Sequence, residues 1–204
     1  METSAARTIR KPGRPLGFDR DAALRQAMLL FWLHGYEATS VNDLTQAMGI
    51  TPPSLYTAFG DKKKLFHEAI ALYTSGAVTS ESIIDNAPTA REAAAGLLHA
   101  SVVGFTGEDT PAGCLLASSA ISCSSGADDV RKALASIRLD IERRLCNKIK
   151  ADRTISTLRP KINPDALAGH VMAVIQGMST LARDGATRQK LASVASAAML
   201  AWPS

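Results

Sequence analysis

Between Thr39 and Lys64 the chain gathers hydroxyls and cations at close spacing: Thr39, Ser40, Thr51, Ser54, Tyr56, Thr57 and the run Lys62-Lys63-Lys64. Hydroxyl and ammonium groups of this kind suit phosphate oxygens and base edges. The residues between them say how they must be presented. Val41, Leu44, Ala47 and Met48 recur at helical spacing and give a first helix one apolar face. Gly49 follows, a residue suited to the left-handed conformation that ends a helix. Ile50 fills the angle, Thr51 caps a second helix, and Pro52 at its first position needs no amide partner. Leu55 and Phe59 lie four apart and face inward, which turns Pro53, Ser54, Tyr56 and Thr57 outward. Two short helices joined by a tight turn make a helix-turn-helix, whose second helix can enter the DNA major groove. Pro53, Ser54 and Thr57 are then the residues expected toward base edges, with Thr51 and Tyr56 toward phosphates. Thr39 and Ser40 precede the first of the two helices, where a hydroxyl caps the helix and free amides suit a phosphate. Pro53 reads a thymine methyl or only shapes the helix start.

The run Thr51-Pro52-Pro53-Ser54-Leu55-Tyr56 and the following Phe59-Gly60-Asp61-Lys62-Lys63-Lys64-Leu65-Phe66 closely resemble the DNA-binding segment of the TetR family of bacterial repressors. Upstream, Phe31-Trp32-Leu33-His34-Gly35-Tyr36 and Thr39-Ser40-Val41 are similar to that family's first helix and loop. The match covers residues 18–66, and the rest of the chain resembles the family in length and helical layout. The resemblance implies that Lys62 is a phosphate-binding lysine. Pro53 stands where many members have Gly or Ala, and Ala58 where many have His or Tyr, so the operator sequence does not carry over. Three lysines at a helix start oppose the helix dipole, a local penalty that an approaching phosphate offsets.

The chain has 204 residues, 23 Lys/Arg and 19 Asp/Glu, a formal charge of +4. Residues 1–64 hold nine Lys/Arg against six Asp/Glu, and residues 65–204 hold fourteen against thirteen. The excess sits on the helix-turn-helix segment, as phosphate binding requires. Cys114, Cys123 and Cys146 are an odd set without metal-ligand spacing, which points to a reducing cytoplasm and to no metal and no disulfide scaffold. No apolar run is long enough to span a membrane, and the start lacks a signal-peptide stretch. No G-x-S-x-G, H-E-x-x-H, phosphate-cradling glycine loop or dinucleotide fingerprint is present. His34, His67, His99 and His170 are scattered over separate helices, so no cofactor and no enzyme activity are expected.

The expected fold is all-α with about nine helices. Residues 1–17 form a flexible basic arm, 18–64 a three-helix DNA-binding domain, and 65–204 a helical ligand-binding and dimerisation domain. In the arm, Pro12-Gly13-Arg14-Pro15 resembles an AT-hook, which would place Arg14 in an A·T-rich minor groove; a solvated basic tail is the equal alternative. Helix 1 runs from about Asp19 to His34 and helix 4 from Lys62 to about Ser80. Thr89 and Glu92 make a capping box for a helix to Phe105. A short buried helix follows within Cys114–Cys123, then a long one from Asp128 with Val130, Leu134, Ile137, Ile141 and Leu145 inward and Arg131, Lys132, Arg138, Arg143 and Arg144 solvated. The last two helices run from Asn163-Pro164 and from Thr187 to Trp202.

Leu167, Val171, Val174, Met178 and Leu181 step four-three-four-three, the seam of a helix–helix interface. With Leu191, Val194 and Ala198 of the last helix they predict a four-helix homodimer contact. Gly169, Ala173 and Gly177 form an adjoining strip that lets another backbone approach. The intervening helices are rich in Ala, Leu and Val, and a cavity among them would take a small, mostly apolar inducer. His99, Cys114, Gln176 and Arg183 are its candidate polar anchors. Cys114 follows a glycine at a helix start, where a thiol gains reactivity; the resemblance extends to repressors that sense electrophiles or oxidants through such a thiol. The expected function is a DNA-binding regulator, a repressor released from a double-stranded, pseudo-palindromic operator by an inducer. The rivals are a Cys114-based sensor, an all-α interaction or chaperone-like protein with a basic arm, and an enzyme using the helical cavity.

Overall fold

Caps written into the sequence set most helix boundaries in the computed structural model, which describes residues 17–76, 78–119, 127–152 and 163–203. Asp19 accepts the amides of Asp21 and Ala22 and opens α1 (Arg20–His34). Ser40 and Asp43 close a capping box at the start of α2 (Val41–Met48), which Gly49 ends in the left-handed region at φ 66°. A side chain at Gly49 would be strained in that conformation. Thr51 opens α3 (Pro52–Phe59), and Asp61 opens α4 (Lys62–Thr74). Capping boxes of Thr79 with Ser82 and Thr89 with Glu92 open α5 (Ser80–Asn86) and α6 (Ala90–Phe105). Then come α7 (Leu115–Ser118), α8 (Asp128–Ala151), α9 (Pro164–Arg183, capped by Asn163) and α10 (Arg188–Leu200, capped by Thr187).

The described residues are therefore all helix and connection, in ten helices rather than nine. The additional one is α5. Helix 4 was expected to continue to Ser80, but it stops at Thr74, and the Thr79–Ser82 box starts a new helix. The basic arm, with Arg14, lies outside the described residues, as does Cys123.

Two apolar cores hold the fold. The first joins α1 to α4 through Ala27, Phe31, Leu44, Leu55, Phe59, Leu65 and Phe66, and continues into α7 and the first turns of α8 through Leu115, Val130 and Leu134. The second packs α5, α6, α9, α10 and the end of α8. The expected boundary at 64/65 thus falls inside α4, whose apolar face belongs with the head. Phe66 is fully buried and meets Phe31 edge-on at 4.9 Å and Tyr36 at 4.9 Å. Arg20 ties the outer side: it donates to Glu68 at 2.7 and 2.9 Å and to the Ala58 carbonyl at 3.2 Å, with its guanidinium over the Phe59 ring.

Phe66→Ala removes an aromatic from the centre of this core and is expected to cost about 3–5 kcal/mol, read as a shift in chemical denaturation. Leu33→Ala, at a position 52% exposed, is expected to stay within about 0.5 kcal/mol.

Candidate nucleic-acid interface and helical cavity

α3 is held from beneath by Leu55 and Phe59, both buried, and its outer side carries exposed Pro53, Tyr56 and Thr57 with half-buried Ser54. Pro52 and Pro53 occupy the first turn, where a missing N–H breaks no helical bond. Thr51 accepts the Ser54 amide, and the two hydroxyl oxygens lie 2.9 Å apart. The Thr57 hydroxyl donates to the Pro53 carbonyl at 2.8 Å, which fixes its rotamer. Tyr56 is half exposed. These residues share one solvent-facing surface, as their spacing predicts.

The approach to α2 differs from expectation. Thr39 is completely buried, and its hydroxyl donates to the Gly35 carbonyl at 2.7 Å. That hydroxyl closes the turn after α1 and is withdrawn from the phosphate-facing set. Ser40 is exposed, but its amide and hydroxyl both donate to the Asp43 carboxylate, at 2.9 and 2.6 Å. Those bonds hold the Asp43 carboxyl below the ordinary carboxylate range.

The three lysines separate into three roles. Lys62 places its ammonium 4.4 Å from the centre of the Tyr36 ring, a cation–π contact. Partial burial lowers its pKa, with Glu37 and Asp43 opposing that shift. Lys63 crosses to the body and pairs with Asp129 at 2.7 Å. Lys64 lies against Gly60 and near Asp61.

Behind α4 lies a cavity of about 470 Å³, within the range of small-molecule sites. Its apolar wall includes Leu97, Phe105, Ile137, Ile141, Met172 and Ile175. Cys114 and Gln176 reach it; His99 is exposed on α6 and Arg183 lies elsewhere, so neither anchors it. The Cys114 amide donates to the Ser179 hydroxyl at 2.8 Å, and the Tyr73 hydroxyl faces its sulfur at 3.5 Å. Burial pushes the Tyr73 phenol well above its ordinary pKa, so it stays a donor. Arg138 and Arg144, expected on a solvated face, both line the cavity, Arg144 from an exposed position. Arg138 is half-buried and donates to the Leu116 carbonyl; Arg144 pairs with Asp85 at 3.2 Å and Glu81 at 3.5 Å. The sequence signal that was missed is that Arg138 follows Ile137, a residue of the inward stripe. No cluster of metal-ligating side chains occurs among the described residues, and no described helix is long and apolar enough to cross a membrane.

Residues 23–69 match the profile of bacterial regulatory proteins of the tetR family, and residues 95–198 match the tetracyclin repressor-like C-terminal domain. The chain is 35% identical over its full length to the HTH-type transcriptional repressor ComR of Escherichia coli, covering 98% of that protein. The chain belongs to the TetR family. It is thus a DNA-binding transcriptional regulator, which sets aside the enzyme and the chaperone-like readings. Among solved structures, it is similar to the TetR family transcriptional regulator CifR, a cysteine-substituted form complexed with 26-base-pair double-strand operator DNA. The two share 38% identity with a TM-score of 0.86, over 94% of this chain and 100% of that one. A TetR regulator from Rhodococcus sp. RHA1 is 35% identical with a TM-score of 0.61, over 91% of this chain and 99% of that one.

In this TetR-family chain three of the eight residues expected at the dimer seam are internal. Val171, Met178 and Leu191 are buried in the subunit's own core. Leu167, Val174, Leu181, Val194 and Ala198 pack partly against that core. The four-three-four-three apolar step includes the buried residues that α9 turns toward α6 and α8, while α10 packs on α6 and α9. The opposite face of α9 carries Ala166, His170, Ala173, Gly177 and Thr180, all exposed, and α10 exposes Ala192, Ser193, Ser196 and Leu200. Leu200 is 87% exposed. Gly169 is not open in the same way: a Cβ there would meet a Glu142 carboxylate oxygen at 3.4 Å.

Proposed function

We propose that the chain is a homodimeric repressor that leaves a pseudo-palindromic operator when a small molecule enters the cavity behind α4. The observation that carries this reading is the outer face of α3, with Pro53, Tyr56 and Thr57 exposed over two buried anchors and Lys62 braced beside it. Full-length similarity to a repressor and to a regulator solved on operator DNA supports it. Pro53, Ser54 and Thr57 face base edges. Thr51, Tyr56 and Lys62 hold phosphates, together with the amide-rich start of α2 at Ser40. Arg14, in the arm, reaches a minor groove. The regulator works in the cytoplasm, where its DNA is.

Lys62→Ala and Tyr56→Phe are each expected to weaken binding to all DNA sequences alike, with Lys62→Ala lowering the salt slope by about one per protomer. The measurement is binding to fragments selected from random DNA, repeated at several salt concentrations. A change of base preference at one position in either variant contradicts these roles.

Dimerisation uses the small-residue outer face of α9 and α10, where short side chains allow close backbone approach. A Cβ at Gly177 meets nothing within 4 Å in the subunit. Gly177→Leu is therefore expected to keep the helical circular dichroism and to shift the protein from dimer to monomer in sedimentation. A variant that stays dimeric places the interface elsewhere.

A second reading of the response rests on Cys114, which lines the cavity with the Tyr73 hydroxyl beside its sulfur. An electrophile entering the cavity would be attacked by that thiol. Alkylation of the wild type is expected to weaken operator binding, while Cys114→Ser keeps its binding under the same treatment. Unchanged wild-type binding removes the thiol from the response and leaves reversible ligand binding.

A further inference from the structure

Among the described residues, the charged groups around the cavity are matched except one. Asp140 pairs with Arg143 at 2.7 Å, and Arg144 pairs with Asp85 and Glu81. Among the described residues Arg138 pairs with no carboxylate; its guanidinium donates only to the Leu116 carbonyl. Burial depresses its basicity below the ordinary arginine value, and only the Cys114 thiol beside it opposes that shift. A guanidinium nonetheless stays charged in proteins, with five donors in a planar fork. One backbone carbonyl leaves most of that fork unused. A half-buried cation over an apolar chamber attracts a ligand that carries the missing charge, and Arg matches a carboxylate with two parallel bonds.

We propose that the cavity takes a weak organic acid, its apolar body against Leu97, Phe105, Ile141, Met172 and Ile175 and its carboxylate on Arg138. The assignment rests on the cavity being the inducer site. It also supplies a route outward. The carbonyl that Arg138 now holds belongs to α7, which packs against α1 and α4. A carboxylate on the fork's free N–H groups draws the guanidinium toward the chamber and away from the Leu116 carbonyl, so occupancy of the cavity loosens the one-turn helix on which the head rests.

The test is calorimetric titration of the full-length protein with the straight-chain acids from hexanoate to dodecanoate and with 4-phenylbutanoate, each beside its neutral amide. In the wild type at least one acid is expected to bind about tenfold or more tightly than its amide, the scale of a charge-assisted bidentate contact. Arg138→Gln is expected to bring that acid down to the amide's affinity without moving the amide, and Arg138→Lys to keep part of the preference. Equal affinities for acid and amide in the wild type overturn the assignment, a comparison that needs no variant to fold. Gly104→Trp separates the two levels, because a Cβ on that wall position meets no neighbour within 4 Å. If it abolishes binding of acids and amides alike while they bind equally in the wild type, the cavity stands as a ligand site and only the carboxylate assignment fails. If no compound binds, or binding survives Gly104→Trp, the cavity reading fails with it.

Discussion

The C-terminal end of α1 is where the DNA-binding head is fastened to the helical body. A helix leaves its last carbonyls without partners, and buried ones need a donor from elsewhere. Here Arg183, at the last residue of α9, donates to the Trp32 carbonyl at 2.5 Å and the Leu33 carbonyl at 3.2 Å. The Trp32 indole N–H in turn donates to the Gly113 carbonyl at 3.1 Å. Its ring meets Tyr73 edge-on at 4.9 Å, and Tyr73 reaches Cys114. Gly113 has φ 82°, and a Cβ there would lie 2.7 Å from the Ser179 carbonyl oxygen. Only glycine lets the loop pass close enough to α9 for this joint to form.

The joint links the cavity to the head. Tyr73 and Cys114 line the cavity and also touch the residues that hold α1. α1 and α4 then carry α2 and α3 through the shared core of Phe31, Leu44, Leu55, Phe59 and Phe66. A second fastening, Lys63 to Asp129, runs from the start of α4 to the start of α8. It is exposed and worth little to stability. Its position matters more than its strength, because it fixes the start of α4 beside Lys62.

The head was legible in the sequence because its signals are local. Caps at Asp19, Ser40, Thr51 and Asp61 and the glycine after α2 act within one turn, so spacing alone places them. Thr39 was misjudged because burial is not local: the same hydroxyl that suits a phosphate also suits the Gly35 carbonyl. In the body, periodicity found the apolar face of α9 but could not say what covers it. Val171 and Met178 face the subunit's own α6 and α8, and of the strip of small residues Ala173 and Gly177 lie on the outward face. Arg138 was missed for a related reason. Its type suggests solvent, and only the packing of α7 against α8 encloses it.

Of the eight residues of α3 only Leu55 and Phe59 are buried. Its fold therefore depends on two side chains and a threonine cap, and the four exposed positions, Pro52, Pro53, Tyr56 and Thr57, touch no core. Substitutions there leave the folding free energy almost untouched while changing the surface proposed to meet the groove. A helix so lightly tied to the core accepts single substitutions that each still fold, so under the proposed role lineages of this regulator can part in target sequence while keeping the same body.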